Sequence, residues 1–228
     1  MTAYAGEKGV LFGYEQMYTP TQGLWTINLG EEYLKTIYAR AGQPMYLTID
    51  TAHQFAQRLF LKPLPGELKT MIEARNTCGK RLPDAVEKAV LRGEKLSTVL
   101  DLMEGYGYWF AQSRDSDVYE WLGELGCYSP IIHLQQTDGT FSAHRPFTKV
   151  NNKNGIVAPR EVLRAIKKSY DKQGGEGLPP KAADIYMAFE LFFGVSVSAG
   201  QILEDMKESV QYWRKTIPED GLPLDQLV

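Results

Sequence analysis

The chain has 228 residues, of which 43% are apolar and 23% charged, with a formal net charge of −3; this is the make-up of a globular chain, and one domain is the expectation at this length. No apolar run approaches the roughly 18 residues that span a bilayer, MTAYAGEKGV lacks the basic-then-apolar layout of a signal peptide, and no Lys/Arg stripe marks a nucleic-acid groove, so the expectation is a cytoplasmic protein with no membrane and no nucleic-acid partner. The two cysteines, Cys78 and Cys127, are far apart without CxxC or Cys/His spacing, which disfavours a disulfide framework or a structural zinc site.

In chain order, residues 9–18 (GVLFGYEQMY) read as an apolar strand ending in a carboxylate. Residues 24–41 have helical periodicity, with Leu24, Ile27, Leu34, Ile37 and Tyr38 on one face and Gly42 as the stop. A second strand covers 45–50 (MYLTID). The long region 54–118 holds helical pieces at 66–75 and 84–92, broken by Pro63, Pro65, Gly79, Pro83 and Gly93. Residues 117–126 read as a helix with Asp117 as N-cap and Gly126 at its end. A third strand at 130–136 (PIIHLQQ) is followed by a polar loop to 156 and an amphipathic helix at 159–172. The connector 173–181 leads to a fourth strand at 184–193 (DIYMAFELFF) and a last helix at about 198–215. Strands alternating with helices predict βαβ units and a parallel sheet.

Each strand carries one polar group at or near its C-terminal end: Glu15, Asp50, His133 and Glu190. A carboxylate beside residues such as Phe189 and Leu191 is costly to bury unless a cation or donors compensate it. Converging at one end of a parallel sheet, three carboxylates and an imidazole would form an oxygen-rich site for a divalent cation, at the end where (β/α) barrels keep their active sites. Taken singly, each group also fits a structural role: an ion pair, a loop acceptor, a satisfied core histidine. The ensemble points further. The three histidines, His53, His133 and His144, all fall in two short segments around strands two and three, and Asp50 with His53 forms D-x-x-H at a strand end.

The order Glu, D-x-x-H, His, Glu on four successive strands resembles the xylose-isomerase-like sugar isomerases and epimerases. YEQMYTP, IDTAHQ and IIHLQQTDG with SAHRPFT are similar to a tetrulose-phosphate branch of them. The resemblance implies an α/β fold of TIM-barrel type. Because the first strand here matches the family's fifth, it implies about four βα units, the C-terminal half of a (β/α)8 barrel, with 54–118 as a helical insertion or lid in a single domain 1–228. It implies Glu15, Asp50, His133 and Glu190 as ligands of one divalent metal (Mn²⁺, Mg²⁺ or Co²⁺, with Zn²⁺ as a further option). It implies His53 on the substrate oxygens, and Glu15 with Glu190 as the catalytic pair that removes and returns a proton beside a ketose carbonyl through a metal-stabilised enediolate. The family's arginine after the metal histidine is replaced by Gly139, so His144 or Arg145 would bind the substrate, a sugar or sugar phosphate, in its place. Trp25, Trp109, Phe141 and Phe147 are candidates to shape the mouth or to fill core. Four parallel strands leave two edges and an unfilled inner face, which predicts a homo-oligomer or a missing N-terminal half-barrel. Two other functions compete. A metallo-phosphodiesterase of the endonuclease-IV type needs more histidines and a basic groove. A catalytically inactive half-barrel would bind a sugar or partner without turnover.

Overall fold

The computed structural model describes residues 2–228. In chain order its elements are α1 (Thr2–Glu7), β1 (Gly13–Glu15), α2 (Ile27–Ala41), β2 (Tyr46–Asp50), α3 (Gln54–Gln57), α4 (Pro65–Ala74), α5 (Asp84–Arg92), α6 (Leu96–Glu104), α7 (Val118–Leu125), β3 (Ile131–Leu134), α8 (Lys149–Asn152), α9 (Pro159–Asp171), β4 (Tyr186–Phe189) and α10 (Ala199–Arg214), with short 3₁₀ turns between some of them. The strands form one parallel sheet in the order β1-β2-β3-β4. This is the α/β architecture of βα repeats expected from the sequence. Among the described residues no helix is long and apolar enough to cross a membrane.

Strand alternation explains the layering. Leu47, Ile49, Ile132 and Leu134 are buried under helices α2, α7 and α9 in one apolar cluster. The alternate residues, including Thr48, Asp50, Ile131, His133 and Tyr186, point to the opposite face. That face is only partly covered: Ile131 is 43% and Tyr186 65% exposed.

Helix ends follow their local chemistry. Thr26 caps α2 by accepting from the Leu29 N–H, and Asp115 Oδ1 takes the Ile27 N–H at 2.8 Å. The helix therefore starts after Leu24 and Trp25, which the periodicity had placed inside it. It stops at Gly42, whose φ of 62° is the left-handed C-cap predicted. Asp117 caps α7 by accepting from the Tyr119 and Glu120 N–H groups. Gly126 differs from expectation: it keeps right-handed helical angles and runs into a 3₁₀ turn. A Cβ there would lie 3.3 Å from Ser169 Oγ and 3.5 Å from Ile166 Cα, so this glycine serves the approach of α9.

The strands are shorter than the apolar runs that announced them. β4 ends at Phe189; the Glu190 N–H still bonds Leu134 O, and the Phe192 N–H goes instead to His144 O.

The connection between β2 and β3 contains a helical insertion within the predicted 54–118. Its stem is closed where the Ala111 N–H bonds Phe60 O and the Lys62 N–H bonds Ala111 O. Helices α4, α5 and α6 then pack around an apolar cluster of their own, built on Leu68, Met71, Val86, Val90, Val99 and Met103. α6 was not singled out in the sequence. Two separate clusters predict two stability units. Met103→Ala removes a fully buried side chain and is expected to cost the insertion about 2–5 kcal/mol. Amide exchange should accelerate across 65–110 while β2 and β3 stay protected; uniform acceleration would show a single cooperative unit.

Candidate metal centre

The ladder register brings the predicted residues together. Glu15 is level with Thr48, two residues short of Asp50; Asp50 is level with His133; His133 is level with Ala188, two residues short of Glu190. Even offsets keep all four on one face. The line through them climbs about one residue per strand, the stagger of an eight-stranded barrel of shear eight. Each of the four offers a donor atom lying within 4.8 Å of the others.

Asp50 has no exposed surface. Its Oδ1 accepts the N–H groups of Ala52 (2.7 Å) and His53 (3.0 Å), and the Gln135 amide lies 2.7 Å from both carboxylate oxygens. His133 Nδ1 faces Glu15 Oε1 at 3.1 Å and Glu190 Oε2 at 3.0 Å. The hydrogen bond between Glu15 and His133 holds the Glu15 carboxyl below its ordinary range and raises the His133 imidazole above its own, while partial burial of each opposes the shift. The pair is therefore ionised between those two limits.

Glu190 Oε2 is buried and receives no hydrogen bond despite the imidazole beside it. One imidazole nitrogen cannot serve two carboxylates with one proton, and an orphaned carboxylate oxygen is expensive. A divalent cation would satisfy both glutamates, the imidazole and the free side of Asp50 Oδ2. Three carboxylates and one imidazole are the donor chemistry of such a cation, so the residues fit one.

His53 is buried beside this group. Its Nδ1 lies 2.8 Å from Gln16 O, which fixes Nδ1–H as the donor and leaves Nε2 as the acceptor. His144 has a left-handed φ of 47°, stacks on Phe192 with centroids 4.0 Å apart, and sets Nε2 3.7 Å from Glu190 Oε2. Asp50, His53 and His144 form a second group of donors at the same spacing. Arg145 sits on the same loop, but its guanidinium is engaged by Asp138 at 2.9 Å and lies over the Phe141 ring.

Of the candidate mouth aromatics, Phe147 is core: it is fully buried against Phe189, Tyr212 and Trp213. Trp25 is buried against Phe60, which Trp109 also contacts, and Phe141 is exposed. Sequence reasoning missed Gln135 and Phe192, whose contacts depend on where the loop after β3 folds back. It also missed Arg58, which donates to Gly139 O at 2.8 Å and anchors that loop. The run of glutamines in LQQ was the one available signal.

No family model matches the chain. It is 31% identical over 104 residues to D-erythrulose 1-phosphate 3-epimerase from Brucella abortus (strain 2308), covering 45% of this chain and 30% of that one. A crystal structure of a protein named for xylose isomerase, from Rhodospirillum rubrum, superposes with a TM-score of 0.55 at 16% identity, over 94% of this chain and 50% of that one. The chain thus spans under a third of the curated relative in the match and half of the solved structure. Together the two matches support the likeness to xylose-isomerase-like TIM-barrel epimerases, and the superposition identifies the fold as half of such a barrel.

Asp50→Asn tests the network directly. An amide in this place sets a donor against the Gln135 amide. In metal-free buffer the expected loss is about 1–3 kcal/mol of unfolding free energy in a denaturant titration; an unchanged midpoint would show that the Gln135 contact carries no stability.

Proposed function

We propose that the chain is a divalent-metal-dependent isomerase or epimerase of a ketose sugar or sugar phosphate. The observation that carries this is the convergence of Glu15, Asp50, His133 and Glu190 on one face at the carboxyl ends of four adjacent parallel strands. The name of the Brucella relative supports the choice of substrate class.

When bound by these four residues, a divalent ion would supply Lewis-acid polarisation of a carbonyl. The protein groups supply the rest. Glu15 at the end of β1 and Glu190 just after β4 both face His133 Nδ1, and in this reading they serve opposite sides of a bound ketose. One removes the proton beside the carbonyl and the other returns a proton on the opposite face, which inverts that carbon. His53, its tautomer fixed by Gln16 O, accepts a hydroxyl hydrogen through Nε2. His144 contributes from the loop after β3, and the Phe192 ring stacked on it excludes water from one side.

The phosphodiesterase alternative lacks support, because the same cluster is rich in carboxylates and the whole chain holds three histidines and a net charge of −3. Metal content and isotope exchange separate the enzyme from a binder. The expected result is near one Mn²⁺ per chain after loading, lost in Glu190→Gln, with solvent deuterium entering beside the carbonyl of a ketose phosphate. Glu15→Gln should slow that exchange roughly 10²–10⁴-fold. A folded chain that holds no metal overturns the proposal; metal without exchange across ketoses and ketose phosphates leaves the binding module.

We also propose that a second copy closes the open half. The α10 face away from the core carries a ridge of exposed Leu203, Met206 and Val210, and α2 borders a cleft of about 340 Å³ lined by Trp25, Leu29, Tyr33, Ile37 and, from the insertion, Tyr108. β1 and β4 are the two edge strands of the sheet, so a two-fold along the strands' common direction pairs β4 with the partner's β1 twice, and the proposal seats the ridge in the partner's cleft. Light scattering on the eluting protein should give twice the chain mass, and Met206→Glu one chain mass; a single-chain mass without the substitution refutes it.

A further inference from the structure

We infer that Gln135 is the positioning residue that couples Asp50 to the loop carrying His144. The inference rests on the metal-site reading above and adds a role that none of the four donors explains.

Gln135 has no exposed surface, and every polar group it owns is engaged. Its side-chain nitrogen lies 2.7 Å from both oxygens of Asp50, and its side-chain oxygen accepts the His144 N–H at 2.5 Å. The orientation of the amide is forced, since a carboxylate offers only acceptors and a peptide N–H only a donor. Its main chain is pinned as well: the Gln135 N–H bonds Thr51 Oγ1 and the Thr51 hydroxyl bonds Gln135 O, both at 3.0 Å.

Two consequences follow for the site. The Asp50 carboxylate is clamped in one plane, so Oδ2, which among the described residues takes no bond besides that from Gln135, keeps a fixed orientation within the donor cluster. The His144 N–H is tied down at a residue with a left-handed φ, a conformation strained outside glycine. That bond supports the backbone that puts His144 Nε2 3.7 Å from Glu190 Oε2. A hydrocarbon of the same size fills the space and does neither. Groups that orient a ligand typically change metal affinity by 10–100-fold when removed.

Gln136 provides the control. It is equally buried, but its amide bonds Asn152 Oδ1 and Val157 O, and it shares no hydrogen bond with Asp50.

The experiment titrates Co²⁺ into the full chain and its variants, reading affinity and the visible ligand-field bands. Gln135→Met and Gln135→Glu should weaken Co²⁺ 10–100-fold and alter the bands; Gln136→Met should lower stability and leave both unchanged. If the native chain binds Co²⁺ and the Gln135 variants bind it equally well with the same spectrum, this inference alone is overturned. If Gln136→Met weakens binding as much as they do, Gln135 is only packing and the inference is overturned as well. If the native chain binds no Co²⁺, the metal-site reading falls and takes this with it. Should the Gln135 variants fail to fold, the native protein decides: the Gln135 side-chain amide resonances should move with the same midpoint as Zn²⁺ binding, and stationary resonances at saturation overturn the assignment.

Discussion

A carboxylate with no exposed surface has to be compensated where it stands, and Asp50 is compensated by the turn that follows it. Its Oδ1 gathers the N–H groups of Ala52 and His53, which bends the chain out of β2 and delivers the His53 ring to Gln16 O. The Gln135 amide reaches it from the end of β3. Isolated burial of such a charge would cost far more than a domain can spare. Three donor groups from two strand ends make it tolerable and join those ends. The local geometry of the candidate site is thus a by-product of satisfying one buried anion.

The neighbouring strands contribute the opposite situation. Glu15, His133 and Glu190 are grouped without enough protons to go round, and Glu190 Oε2 is left without a donor. Native interiors rarely keep such an arrangement unless something else claims the lone pairs. Where local chemistry breaks the ordinary rules while the surrounding framework obeys them, function is the usual reason. Here the framework does obey them: Leu47, Ile49, Ile132 and Leu134 pack in alternation under the helices, one residue away from the polar set.

This division explains what could be read in advance. Strand alternation and the polar residue at each strand end depend only on neighbours in sequence, so Glu15, Asp50, His133 and Glu190 were visible as a set. The same holds for the αL stop at Gly42 and the Asp117 cap. Contacts across the fold were not visible. Phe147 reads as a loop aromatic near the site, but α10 brings Trp213 and Tyr212 over it and makes it core. Gly126 reads as a helix terminator, yet it answers to α9. Gln135 reads as a polar strand residue, and its meaning lies in Asp50, 85 positions away. The insertion was legible as helical but not as an independent cluster, because the pairing at Leu61 and Ala111 that closes it off is long-range.

Precision in a site comes from rigid elements close to it. Here three donors sit on adjacent strands and Glu190 directly follows the fourth, its N–H on Leu134 O, so ladder bonds set their relative heights. Nothing beyond these four βα units is needed to put the donor atoms within 4.8 Å of one another. The open inner face, where Ile131 and Tyr186 meet solvent, governs a different quantity. Water reaching that face weakens every electrostatic interaction made there, whereas the donor positions are set by the ladder. In the proposed function, cation binding and proton transfer would therefore depend on separable parts of the structure: the first on the strand ends and the clamp around Asp50, the second also on whatever closes the sheet.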